Sequence, residues 1–482
     1  MKNNPSISFY KWDIKDYKIL FKSLNQFLDI KTCQFYMPFF SLYYYIYNTN
    51  KSHKKIDLKR TYYVKYITEI INQKYYNSNL ILKGSIFDSS KKISEIKEIF
   101  CKTIPILEPI HCINNNYNLI NKNNHYLPSN YNFNTFNKIN DINNTAYIDV
   151  ICSYLFSQLV VNKILPSFAL FYGSTNGIGD YNYDLTEEYE DLRIDKCFNK
   201  NLNKSFKVKI YISSDEESDE ESDEESDEES DEESDEESKF CNNDYISIIN
   251  KIPLQLLFIE KLEGTLEDYI LTSKIDGNVL LSCIFQISFA LNYLQKHFNF
   301  THNDLHISNV MYSTTEIKYL YYKINNKYFK VPTHGKIFKI IDFGRSIFTY
   351  NNKIYMNDVF SKNSEAWGQF YYPPQVNFLT NFDKNIPHIN PNFNFDLCRL
   401  AMTILEEINT DELNKNVYNF LNNMCIDCNG DNFCDMDDDF SLYIKISKNS
   451  VNSKPIDIIN NRIFKHYRVT KKNFPRKLFY SV

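Results

Sequence analysis

Thr301-His302-Asn303-Asp304-Leu305-His306-Ile307-Ser308-Asn309-Val310-Met311, followed downstream by Lys339-Ile340-Ile341-Asp342-Phe343-Gly344, decides the reading of this 482-residue chain. The first stretch fits H-x-D-L-x-x-x-N and the second ends in D-F-G. Both have a logic in phosphoryl transfer. A carboxylate must accept the proton of the attacking hydroxyl, and oxygen ligands must hold Mg²⁺ against the phosphates of ATP. Asp304 takes the base position. Asn309 can curl back from the same loop to ligate Mg²⁺, and Asp342 is the second metal ligand. Gly344 then lets the chain turn sharply. Either motif alone is a weak signal. The two in this order, each flanked by apolar strand-like residues, are much rarer by chance.

Working outward, the first motif follows a long apolar helix, NVLLSCIFQISFALNYLQKHF (278–298), and a shorter one, TLEDYILTS (265–273). Thr265 and Asp268 suit the start of the shorter helix. Before these lie strand patterns at 79–88, 93–107, 167–173 and 253–264, interrupted by a helical pattern over 146–165. The order of strands, one helix, strands, then helices predicts an α+β fold rather than a repeating βαβ sheet. Asn114 to Asn144 reads as a long surface loop. Two aromatic runs around Asn325-Asn326, IKYLYYKI and KYFKVP, read as an added hairpin.

Composition narrows the class. Charged residues at 24% and hydrophobics at 43% are globular values. The formal charge of −6 hides two unlike parts. Ser214 to Glu237 is six Ser-Asp-Glu-Glu units holding 18 of the 60 acids, so the remainder carries 42 acids against 54 bases, a net of +12. The repeat has no apolar residue and its charges repel, so it cannot fold on its own. It marks residues 176–244 as an insertion. Each of its serines precedes an acid at the third position, which suits an acid-directed kinase as a modifying partner. The start of the sequence shows no apolar leader, and eleven dispersed cysteines suggest free thiols in a reducing compartment. Gly277 to Gln295 is uncharged but rich in Asn, Ser and Gln, and reads as a buried helix rather than a membrane span. Cys425, Cys428 and Cys434 lack a fourth zinc ligand nearby. The basic, aromatic 461–479 stretch reads as a solvated helix face, so neither a membrane nor a nucleic-acid partner is expected.

With these motifs the chain resembles the protein kinase superfamily. The likeness extends to Phe395-Asp396-Leu397-Cys398-Arg399-Leu400-Ala401, similar to the helix after the activation segment, whose Asp396 would brace the catalytic-loop backbone. Glu260-Lys261-Leu262-Glu263-Gly264 sits where the hinge should be, which makes Glu260 and Leu262 nucleotide-binding candidates. Phe100-Cys101-Lys102 resembles the third strand, with Lys102 holding the α- and β-phosphates. THNDLHISNVMY, KVPTHGKIFKIIDFGRSIF and NFDLCRLA look more specifically like the divergent serine/threonine-type kinases of large nucleocytoplasmic DNA viruses. The resemblance covers roughly residues 79 to 475, apart from the acidic repeat.

This resemblance implies a bilobal kinase-like fold. It would comprise an N-terminal extension (1–75), a β-rich lobe (76–263) carrying the 176–244 insertion, and a helical lobe (264–482). It implies ATP and Mg²⁺ as cofactors, a protein Ser/Thr hydroxyl as acceptor, and a cytoplasmic setting, host cytoplasm or virion if viral. Asp304, Lys102 and His306 are the catalytic candidates. Several positions depart from the family pattern. No G-x-G-x-x-G precedes Lys102, and only Gly84 lies at about the right distance to cradle phosphate. Asp149 is the only acid in the following helix and would be a short partner for Lys102. Asn303 replaces the usual Arg, which argues against control by activation-loop phosphorylation. His306 replaces the Lys that neutralises the γ-phosphate; a neutral imidazole can donate one hydrogen bond but brings no charge. Two other readings stay open: a catalytically weak pseudokinase or scaffold, and a small-molecule kinase of the aminoglycoside or choline type.

Overall fold

A computed structural model describes residues 5–11, 13–34, 56–72, 79–117, 119, 127, 137–212, 243–272, 276–362, 364–370, 391–408, 413–436, 440–476 and 479–482. The acidic repeat, 214–237, lies outside the described residues.

The fold is α+β. Its largest sheet has seven strands, all antiparallel. The order is Cys33–Gln34, Phe171–Asp184, Asn243–Glu260, Ile93–Pro105, Leu80–Asp88 and Tyr62–Asn72, with Phe206–Ile212 also pairing on Asn243–Glu260. Lys102 faces Leu257 across one strand pair, and Ile104 faces Gln255. The two-residue period of a strand therefore sends Lys102 and Ile104 to the same side. The helix Thr145–Val161 begins at Asn144, whose side chain accepts from the Ala146 amide at 3.0 Å. From Ala146 to Ser157 this helix is buried on every side, which fits its mostly apolar sequence, interrupted by Asp149 and two serines.

The two motifs meet through a small sheet. Val310–Thr314 pairs antiparallel with Lys336–Ile340, Val310 opposite Ile340, and Gly264–Thr265 completes it. This register puts Asn309 and Ile341 at the same end, where the Ile341 amide donates to the Asn309 carbonyl at 3.1 Å. Thr265 and Asp268 cap each other at the start of Leu266–Thr272, amide to side chain in both directions, at 3.0 and 2.9 Å. Gly277–Phe298, capped by Asp276, is long and apolar enough to cross a membrane, but it is packed inside the core. One continuous hydrophobic cluster joins the seven-stranded sheet to the helices Gly277–Phe298, Phe395–Glu407, Lys415–Met424 and Phe440–Asn449. The expected hairpin is present, Tyr319–Ile324 with Lys327–Pro332, and Asn325 takes a left-handed φ of 52° at its tip. Arg468–Val469 and Tyr480–Ser481 extend it to four strands. The ten cysteines among the described residues are free thiols.

Two boundaries differ from expectation. The sheet takes in 33–34 and 62–72, so residues assigned to an extension ending at 75 supply its edge strands. Likewise, 176–184 continues a strand begun at Phe171, and 206–212 forms another, so these two stretches within the expected 176–244 insertion lie in the sheet. The alternating pattern of FKVKIYI, just before the acidic repeat, pairs with Asn243–Ile249.

Candidate active site

Lys102 Nζ sits 2.7 Å from Asp149 Oδ2 and 2.7 Å from Asp342 Oδ1. Strand, buried helix and D-F-G segment thus converge on one ammonium. Burial opposes its charge, but the Asp149 and Asp342 carboxylates outweigh that and hold Lys102 well above the ordinary lysine range. For Asp342, burial pushes the other way, yet Lys102 pulls its carboxyl down to about 2. Asp149 is almost wholly buried and also accepts from the Phe343 amide at 3.2 Å. Phe343 itself is buried, its ring 5.0 Å from Phe156 of the same helix and 5.6 Å from His302. The helix is therefore tied to the D-F-G segment both by a hydrogen bond and by aromatic packing.

The left-handed residue in this turn is Asp342, at φ 59°, not Gly344. A left-handed conformation costs a residue with a Cβ roughly 1–2 kcal/mol, least for Asn and Asp. The Gly344 amide donates to Asp342 Oδ1 at 3.3 Å, and a Cβ on Gly344 would stand 3.3 Å from that same oxygen. A side chain at 344 would crowd the Asp342 carboxylate, while the left-handed turn itself falls on Asp342.

Asp396, fully buried at the start of its helix, accepts from the His302 amide at 3.0 Å and the Asn303 amide at 2.9 Å. Burial raises its carboxyl, and the two amides offset that in part. The bracing expected of Asp396 is thus seen directly. His302 Nε2 lies 2.8 Å from the Ile341 carbonyl, and Asn303 Nδ2 donates to the Arg345 carbonyl at 3.0 Å. Asn303 also has a left-handed φ, 64°. These bonds lock the first motif to the second.

Asn309 Nδ2 donates to the Asp304 carbonyl at 2.8 Å and lies 2.9 Å from His306 Nε2. His306 Nδ1 lies 3.1 Å from Ser308 Oγ. Burial lowers the His306 imidazole, as do the charges of His302 and Arg399, against a raising effect from Asp304. A neutral ring that accepts at Nε2 from Asn309 has its one N–H at Nδ1, and that donor is directed at Ser308. Through these two contacts His306 orients the loop.

A cavity of about 460 Å³ is lined by Lys102, Asp304 and Asp342. Its wall also holds residues that the sequence did not single out, among them Arg345, Glu365, Asn357 and the Tyr181–Asp184 end of a sheet strand. No local motif signals these. Gly84, Glu260 and Leu262 are not among the lining residues. Gly84 sits mid-strand opposite Ile67 and Lys97, where a Cβ would meet the Tyr66 carbonyl at 2.7 Å. It serves strand packing and not a phosphate-cradling turn. Gly84→Ala is expected to lower stability by about 1–3 kcal/mol through this clash, read as a lower urea midpoint; an unchanged midpoint would contradict the packing role. The Glu260 carboxylate takes Lys339 Nζ at 2.7 Å and the Leu170 amide at 3.0 Å, and Leu262 is buried.

Asp342 offers the cavity a carboxylate oxygen of the kind a hard divalent cation takes. Asn309, whose amide nitrogen is engaged by the Asp304 carbonyl and His306, is not among the lining residues. Mg²⁺ needs only one or two protein oxygens, because it keeps waters and substrate phosphates as its other ligands.

No family model matches the chain. One segment is similar to mouse serine/threonine-protein kinase haspin, at 30% identity over 95 residues, which are 20% of this chain and 13% of that protein. A similar match to the bovine haspin has 29% identity over 104 residues, 22% of this chain and 13% of that protein. The chain thus spans about an eighth of the length of these curated relatives. Together with two motifs locked around one cavity, these partial likenesses support a chain related to the protein-kinase-like superfamily.

Proposed function

We propose that the chain is a Mg·ATP-dependent protein kinase that transfers the γ-phosphoryl group to Ser or Thr hydroxyls of protein substrates. The observation that carries this is the convergence of Lys102, Asp342 and Asp304 on one cavity, with Asp149 as the buried counter-ion. Asp304 accepts the proton of the attacking hydroxyl as the new P–O bond forms and the bond to the ADP oxygen breaks. Lys102 positions the α- and β-phosphates. Asn309 and Asp342 would hold Mg²⁺, which when bound neutralises charge on the phosphates. In this reading the seven-stranded sheet is the upper lobe, Glu260 to Gly264 the hinge whose backbone receives the adenine, and residues from 264 onward the lower lobe. The viral kinase group remains the source that the quoted phrases suggest.

The test is direct. Purified chain is incubated with labelled Mg·ATP and a mixed protein substrate, beside Asp304→Asn. Wild type should transfer label, chelation of Mg²⁺ should stop it, and Asp304→Asn should lose about 10²- to 10³-fold. Wild type that neither transfers label nor gains thermal stability with ATP would sink the proposal, since occupancy at 100 times Kd adds about 2.7 kcal/mol. The placement of Gly84 away from the cavity favours a catalytically weak scaffold as the second reading. ATP stabilisation without transfer would be its signature. Transfer to a small aminoalcohol but not to protein would instead mark a small-molecule kinase.

A further inference from the structure

Transfer of a phosphoryl group needs positive charge beside its equatorial oxygens as the transition state forms. Among the described residues lining the cavity, Asp184, Asp304, Asp342 and Glu365 are acidic, while Lys102 and Arg345 are the bases. Lys102 is held at 2.7 Å by both Asp149 and Asp342, which commits its ammonium to that trio. His306 is not among the lining residues and is turned toward Asn309 and Ser308. That leaves Arg345.

Its position suits the task. The Arg345 carbonyl is anchored by Asn303 Nδ2 at 3.0 Å, which fixes the backbone beside the base Asp304. Its guanidinium lies 3.8 Å from Asp304 Oδ1, too far for a hydrogen bond, so Asp304 keeps its lone pairs for the substrate proton. The other end of the fork pairs with Glu365, whose side chain is 69% exposed. The Arg345 side chain is mostly buried, so only the Glu365 end of this pair is free to swing into solvent. A guanidinium offers five donors in a planar fork, a geometry matched to phosphoryl oxygens.

We propose that Arg345 is a catalytic residue, contacting the transferred phosphoryl group and supplying positive charge beside it. This rests on the kinase reading above. Asn303 is then a positioning residue, holding the Arg345 backbone.

The experiment uses the full chain and compares wild type, Arg345→Lys, Arg345→Met and the double variant Arg345→Met/His306→Lys. It measures kcat, KM for ATP, and ADP affinity by thermal shift. Arg345→Met should lower kcat by about 10²- to 10³-fold, with ADP affinity and melting temperature close to wild type. Arg345→Lys should retain an intermediate rate. The double variant should regain at least about tenfold over Arg345→Met, because a cation returns on the neighbouring loop. Rescue by charge at another position separates catalysis from a merely structural ion pair. A kcat for Arg345→Met within about threefold of wild type, or a loss of kcat matched by loss of ADP affinity and left unrescued by His306→Lys, overturns the assignment. If Arg345→Met fails to fold, Arg345→Lys decides: a rate equal to the wild type's overturns the need for the fork, and an intermediate one supports it. Wild type without transfer would overturn the kinase reading and this inference with it. Active wild type beside an unaffected Arg345→Met overturns only the role of Arg345.

Discussion

Asp342→Asn is expected to slow phosphoryl transfer by about 10³-fold, or about 4 kcal/mol of transition-state stabilisation, while the chain stays folded. Asn has nearly the same volume and tolerates the left-handed φ of 59° that Asp342 adopts. Lys102 would keep Asp149 at 2.7 Å as its counter-ion. The fold therefore loses little. The site loses its one carboxylate that faces the cavity beside Lys102 and can bind a hard cation through charged oxygen. Because Lys102 holds the Asp342 carboxyl at about 2, wild type presents it ionised throughout the neutral range. The sign follows: a depressed carboxylate stays charged until pH falls to near that value, so its protonation cannot account for activity lost near neutrality. Label transfer at saturating Mg·ATP, set beside melting temperature, checks the claim. Turnover within tenfold of wild type would remove Asp342 from the metal site.

Asp149→Ala should act differently, on stability as well as on rate. The Asp149 side chain is 2% exposed and serves Lys102 at 2.7 Å, the Phe343 amide at 3.2 Å and Ser153 Oγ at 3.4 Å. Removing it strips a buried cation of one partner and orphans a buried amide. Breaking a buried pair from one side costs about 3–5 kcal/mol; Asp342 remains near Lys102, which places this case toward the lower end, about 3 kcal/mol. The second variant in the cycle is Lys102→Met, and the third combines both. The double variant should be less destabilised than the sum of the singles by about 1–3 kcal/mol, the coupling typical of side chains in one buried network. Urea unfolding measures each corner. Strict additivity would mean that the two residues do not interact in solution. Activity should be lost in all three, since Phe343 and Asp342 take their positions from this contact.

These expectations differ in how far they could be reached from residues alone. The roles proposed for Asp304, Asn309 and Asp342 came from spacing, which could already place the first two on one loop. His302, Asn303, Asp304 and Asn309 belong to one loop whose hydrogen bonds are short-range, such as Asn309 Nδ2 to the Asp304 carbonyl. Asp149 could be named because it is the only acid in an otherwise apolar helix, and an unpaired acid there would be expensive to bury. Gly84 misled for the opposite reason. A glycine at a plausible distance from Lys102 carries no sign of its strand register, and register alone places it against Tyr66 rather than in a turn.

The sequence by itself determined the α+β class, the two motifs, the Thr265–Asp268 helix start and the hairpin, because each depends on local geometry or on periodicity within a few turns. Only the tertiary structure decided which distant groups meet. It paired Lys102 with Asp149 across 47 residues, threaded 62–72 and 206–212 into the sheet, and turned His306 inward. It also set Arg345 beside Asp304. Strand pairing and side-chain direction are settled by long-range packing in one continuous core, and no short window of residues contains that information.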